Sequence, residues 1–189
     1  AWAALYAKSN PSAHIEIIND QSTGDADKLG AIGDINLVIQ KAGLENSDLM
    51  VVAGDNLFSQ SLEAFGFFCR EKNQPVLALY DVGSLDEARK YGVVAVDQDG
   101  VISSFEEKPQ QPKSTLIGIA LYYYPKHTVR EFTTYIAEGN NPDQPGRFVQ
   151  WLYNRTPVQT WNVPGTWFDV GSKETLEEAN RIFEKFRGA

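Results

Sequence analysis

Two aspartates in this 189-residue chain stand where a carboxylate can meet a cation. Asp55 follows the apolar run Leu49-Met50-Val51-Val52-Ala53-Gly54, and Asp169 follows Thr166-Trp167-Phe168. Each closes a strand-like run beside small or turn-forming residues. In open α/β sheets, ligands bind beyond the carboxyl ends of strands. Magnesium takes one or two protein carboxylates and fills its octahedron with water and phosphate oxygens. The same local grammar serves an ordinary turn or cap residue, and spacing alone leaves both readings open. A further stretch, Phe105-Glu106-Glu107-Lys108-Pro109, ends a hairpin strand. Alternation puts Glu106 and Glu107 on opposite faces. Glu107 can then accept hydrogen bonds from neighbouring hydroxyls while Lys108 offers a point charge to a phosphate; a solvated strand edge is the alternative.

The elements that must position these groups can be read from periodicity. The Leu49 run has the length and composition of a strand buried on both faces, as in a parallel sheet. Before it, Ala1 to Ala7 reads as the tail of an amphipathic helix and Ile15 to Ile18 as a short strand. Ile32, Ile35, Val38, Ile39 and Ala42 then mark a helix that Gly43 can stop. Leu62, Phe65, Phe68 and Cys69 form another helical stripe, and Val76 to Tyr80 is the next strand. Ser84-Leu85-Asp86-Glu87 has the pattern of a capping box. Val93–Val96 and Val101–Phe105 flank an Asp99-Gly100 hairpin turn. Leu116 to Tyr124 is a strand, and helices follow at Val129–Ile136 and Phe148–Leu152, separated by a Pro/Gly/Asn/Asp loop over 140–146. Val158–Trp161 and Thr166–Phe168 are strand-like, and Leu176, Ala179, Phe183 and Phe186 form the last helical stripe. This order predicts a three-layer α/β/α sandwich with a mixed, mostly parallel sheet, in one domain.

Composition narrows the function classes. A net charge of −8 with no basic cluster argues against a nucleic-acid partner. The apolar runs are too short to cross a bilayer, so no membrane partner is expected and a cytoplasmic location is the default. One cysteine, Cys69, forms no internal disulfide. His14 and His127 have no ligand neighbours at zinc spacing. Asp25-Ala26-Asp27 has the Asp-x-Asp form of metal-dependent glycosyltransferases but lies in a turn-rich loop.

Four motifs in order carry a resemblance: Gly54-Asp55-Asn56; Tyr91-Gly92-Val93-Val94 with its Asp99-Gly100 turn; Phe105-Glu106-Glu107-Lys108-Pro109; and Gly165-Thr166-Trp167-Phe168-Asp169-Val170-Gly171. The chain resembles the sugar-1-phosphate nucleotidylyltransferases, most closely the glucose-1-phosphate thymidylyltransferase group, over about Ile15 to Asn180. The resemblance implies a nucleotide-diphospho-sugar transferase-like fold. It also implies transfer of a nucleoside monophosphate from a nucleoside triphosphate to a sugar 1-phosphate. It assigns Asp55 and Asp169 to Mg2+, making them catalytic with Lys108, which would hold the sugar phosphate. Gly92, Glu107, Gly118, Tyr122 and Trp167 would line the sugar site, and Gly30, Ala31, Gly54 and Asp55 the nucleotide side. The sequence contains no Gly-x-Gly-x-Arg phosphate loop. An N-terminally truncated chain, lacking the first βα segment and inactive by itself, is therefore expected. Self-association through an exposed sheet edge would follow. A regulatory sugar-nucleotide module of the same fold and a metal-dependent glycosyltransferase are the alternatives.

Overall fold

A computed structural model describes residues 2–186. Ala1 and the side chain of Phe186, included above in the first and last helices, lie outside the described set. The helices are α1 (Trp2–Ser9), α2 (Ala31–Ala42), α3 (Glu63–Lys72), α4 (Leu85–Ala88), α5 (Lys126–Val129), α6 (Glu131–Ala137), α7 (Pro145–Leu152) and α8 (Lys173–Phe183). The strands are β1 (Leu49–Val52), β2 (Asn56–Phe58), β3 (Val76–Asp81), β4 (Gly92–Val96), β5 (Ile102–Glu107), β6 (Leu116–Tyr124), β7 (Gln159–Asn162) and β8 (Trp167–Asp169). Gly43 stops α2 in the left-handed conformation, φ +67°, its N–H reaching back to the Ile39 carbonyl. The capping box forms at Ser172 and Thr175 ahead of α8. At Ser84 the pattern is present but no side-chain cap bond forms.

The main sheet runs β5-β4-β6-β3-β7, with β1 also on β6. The expectation of a mostly parallel sheet needs correction. Among the described residues β3–β7 is the parallel pair, and β1–β6, β3–β6, β4–β5 and β4–β6 are antiparallel. The sheet is mixed, and the hairpin after Gly92 with the long β6 accounts for its antiparallel share. Ile15–Ile18, expected as a short strand, forms no regular element; Ile17 is 77% exposed. The expectation that β1 is buried on both faces also fails. Leu49 and Val51 pack on the core, whereas Met50 and Val52 are 48% and 46% exposed, and β1 is bonded along one edge, to β6.

β6 organises the layers, because its alternate residues enter two different cores. Tyr122 and Tyr124 pack with Ile32 and Ile39 of α2, Phe132 and Tyr135 of α6, and Phe148, Val149 and Leu152 of α7. Ile117, Ile119, Leu121 and Tyr123 pack with Phe65 and Cys69 of α3 and with Ala88. Both faces of the sheet are thus covered by helices, which is the expected sandwich. On the first face the Phe132 and Phe148 rings stack with centroids 4.0 Å apart. Truncating Phe148, which is fully buried, is worth about 3–5 kcal/mol.

Candidate functional site

The cleft of interest opens where the sheet's connectivity breaks. β3 lies along one edge of β6, and the other edge is shared end to end. β4 pairs with Ile117 and Gly118, β1 with Leu121 to Tyr124, and Ala53 N–H donates to the Ala120 carbonyl. Opposite, the register with β3 jumps from Tyr122↔Leu77 to Gly118↔Leu79, so β6 bulges over 119–121. The chains leaving β1 and entering β4 diverge at this point. Between them lies a cavity of about 360 Å³ lined by Asp55, Tyr91, Gly92, Glu107, Lys108 and Asp169 among others.

At one end are the two aspartates. Asn56 to Phe58, to which sequence periodicity assigns no element, is a strand, β2, and it pairs antiparallel with β8. Asn56 is opposite Asp169, and Val170 N–H donates to the Asp55 carbonyl at 2.9 Å, so the carboxylates stem from neighbouring backbone. Asn56 is held from both sides. Trp167 Nε1 donates to its Oδ1 at 2.7 Å, and its Nδ2 donates to Asp55 Oδ1 at 2.9 Å. Burial, and next the negative charge of Asp55, push the Asp169 carboxyl above its ordinary range. A carboxylate whose proton affinity is raised by a neighbouring negative charge favours a cation beside it. Among the described residues no group of three or more His, Cys, Asp or Glu side chains gathers as a metal cage. Two carboxylates would fit an ion such as magnesium, which takes one or two protein carboxylates and completes its shell with water and phosphate oxygens.

At the other end, β5 delivers Glu107 inward and Glu106 outward, as alternation requires. Gly92, opposite Glu107 in the β4–β5 ladder, has no room for a side chain: a Cβ there would run into the Phe105 ring and stand 3.1 Å from Glu107 Oε2. Burial raises the Glu107 carboxyl, offset by the charges of Lys108 and Arg147. Tyr122 also lines the cleft, its hydroxyl pushed far up by burial and then by Glu107. Lys108 adopts φ +49°, a left-handed backbone rare for a side-chain-bearing residue. Its N–H donates to the Tyr91 carbonyl at 3.0 Å.

Of the residues singled out from sequence, Asp55, Gly92, Glu107, Lys108, Gly118, Tyr122, Trp167 and Asp169 share this cleft. Gly30, Ala31 and Gly54 are not among its lining residues. Asp27 turns its oxygens to Thr23 and Gly24 in its own turn, and neither it nor Asp25 lines the cleft. Cys69 is buried in the far core, its thiol pushed up to about 12 by burial. Sequence reasoning missed the entry to α7: Asp143 and Gln144 of the preceding loop and Pro145 and Gly146 of the helix's first turn all line the cleft. A Cβ on Gly146 would overlap Glu107 Oε2. A glycine in the first turn of an amphipathic helix, a poor helix former spent without a turn to make, was the available signal.

A nucleotidyl transferase family model matches residues 7–185. Among curated relatives, a glucose-1-phosphate adenylyltransferase of Thermomicrobium roseum is 30% identical over 139 residues, 70% of this chain and 32% of that protein. One of Clostridium acetobutylicum is 28% identical over 156 residues, 78% of this chain and 41% of that protein. Among solved structures, UDP-glucose pyrophosphorylase complexed with UDP-glucose superposes with a TM-score of 0.69 at 23% identity. The match covers 82% of this chain and 62% of that one. A Bacillus anthracis structure described as a glucose-1-phosphate thymidylyltransferase with a sucrose gives 0.67 at 24%, covering 88% and 63%. The chain thus spans well under half the length of these curated relatives, and the structural likenesses speak to the fold.

Proposed function

The chain belongs to the nucleotidyl transferase family, and on that premise we propose that its cleft binds a sugar 1-phosphate and a nucleoside triphosphate for nucleotidyl transfer. The observation that carries the reading is one cavity with a carboxylate pair at one end and Glu107, Lys108 and Gly92 at the other. Asp55 and Asp169 would hold Mg2+, whose charge would screen the triphosphate when bound. Lys108, on its constrained backbone, receives the sugar phosphate. Glu107 and Tyr122 bond the sugar hydroxyls, and the bare α-carbons of Gly92 and Gly146 let the ring approach the carboxylate. A phosphate oxygen of the sugar 1-phosphate then forms a bond to the α-phosphorus as the bond to pyrophosphate breaks, with no covalent enzyme intermediate. The protein's part is positioning and charge neutralisation.

Calorimetric titration of glucose 1-phosphate into the protein with Mg2+ tests the reading, alongside Lys108→Ala and Asp55→Asn. We expect glucose 1-phosphate binding that Lys108→Ala weakens roughly 10–100-fold, and divalent-cation binding that Asp55→Asn abolishes. Glucose 1-phosphate binding indifferent to Lys108, or no binding at all, would refute it.

A further inference from the structure

We propose that the turn formed by residues 28–32 is a latch on the loop 141–146, which makes Gly30 a positioning residue for the Glu107 side of the cleft. Gly30 is buried at φ +77° and caps α2 without a side-chain bond. A Cβ on it would stand 2.8 Å from the Asp143 α-carbon, 2.8 Å from the Pro142 carbonyl oxygen and 2.9 Å from the Pro142 carbonyl carbon. All three are backbone atoms, so no rotamer change relieves the clash and the loop itself must move. Ile32 N–H donates to that same Pro142 carbonyl at 2.8 Å. Lys28 Nζ lies 3.3 Å from Asp143 Oδ1, a half-exposed pair worth little energy but restricting direction.

The loop is fastened at its first residue as well. Tyr135 Oη donates to the Asn141 carbonyl at 2.7 Å, and Asp143 N–H donates to Asn141 Oδ1 at 2.9 Å. Pro142 and Pro145 fix φ at two of its residues, so the segment transmits a displacement in place of absorbing it. Its far end is Gly146, whose α-carbon abuts the Glu107 carboxylate. A push at Gly30 therefore arrives at Glu107.

The consequence for ligand rests on the sugar-phosphate reading, but the latch itself is testable without ligand. In Gly30→Ala, the amide resonance of Gly146 and the side-chain carboxyl resonance of Glu107 should shift. Glucose 1-phosphate affinity should fall about tenfold or more, as misplacement at a distance does, while Mg2+ affinity is unchanged. Shifts confined to residues 28–34 would overturn the latch whatever the ligand result. Wild-type glucose 1-phosphate affinity in the variant would overturn the positioning role. A wild-type protein that binds no glucose 1-phosphate, with Gly146 and Glu107 still displaced by Gly30→Ala, would sink the sugar reading and leave the latch standing. Should Gly30→Ala fail to fold, Pro142→Gly keeps the carbonyl but removes the stiffness. It should give the same selective loss, and unchanged glucose 1-phosphate affinity would count against the proposal.

Discussion

Replacing Lys108 by glycine should make the protein more stable and less able to bind. Lys108 sits at φ +49° immediately before Pro109. A side-chain-bearing residue in the left-handed region costs roughly 1–2 kcal/mol, and the following proline adds to the crowding by disfavouring compact backbone before it. Glycine removes that cost but gives back roughly 0.5–1 kcal/mol as extra entropy of the unfolded chain. The expected net gain is roughly 0.5–1 kcal/mol, which for a domain of this size raises Tm by about 1–4 °C. Lys108→Ala is the control, since it removes the same charge and keeps the strain, so it should show no such gain. Both variants should lose a charge-assisted bond to the ligand phosphate worth about 1.5–3 kcal/mol, or roughly 10–100-fold in glucose 1-phosphate affinity. Scanning calorimetry and titration of the three proteins side by side make the assay. If glycine is no more stable than alanine, the backbone at Lys108 stores no strain and the reasoning fails.

The raised carboxyl of Glu107 has a definite sign. A carboxyl whose folded-state pKa lies above its unfolded value costs stability once both states are ionised, and that cost fades as pH falls through the folded pKa toward the unfolded one. Glu107→Gln should therefore be more stable than wild type at neutral pH, the gap closing in acid; melting curves across pH check this. Trp167→Phe strips Asn56 of its 2.7 Å donor and should cost about 1–3 kcal/mol in denaturant titrations while weakening Mg2+ binding through Asp55. The free edge of β1, with Met50 and Val52 exposed, should drive concentration-dependent self-association in sedimentation runs. Met50→Lys with Val52→Lys should reduce it.

What the sequence made legible was local: the alternation that turns Glu107 inward, the glycine that stops α2, and the Asp99-Gly100 hairpin. Short apolar runs carried less, because Leu49–Val52 reads alike whether its outer face meets a helix or nothing. Direction was hidden too, since a strand's composition does not say which neighbour it runs against, and β6 proved antiparallel to every strand it touches. Asn56–Phe58 was missed because a three-residue strand has no periodicity of its own and exists through its partner β8. The Asn141–Gly146 loop was visible as punctuation, but its place over Glu107 depends on a docking to Gly30 more than a hundred residues earlier in the chain.

The shared edge of β6 makes two half-sheets on that side, held together by β6 and by β3, which pairs with it on both sides of the bulge. One half, through β1, bears the aspartates; the other, through β4 and β5, bears Glu107 and Lys108. Among the described residues no ladder bond joins β1 to β4 across the gap, so the bulge between β6 and β3 is where the span between the two groups can change. A ligand touching both would then brace that open side, and its arrival should register as slowed amide exchange at Ile119 and Ala120, between the β4 and β1 pairings.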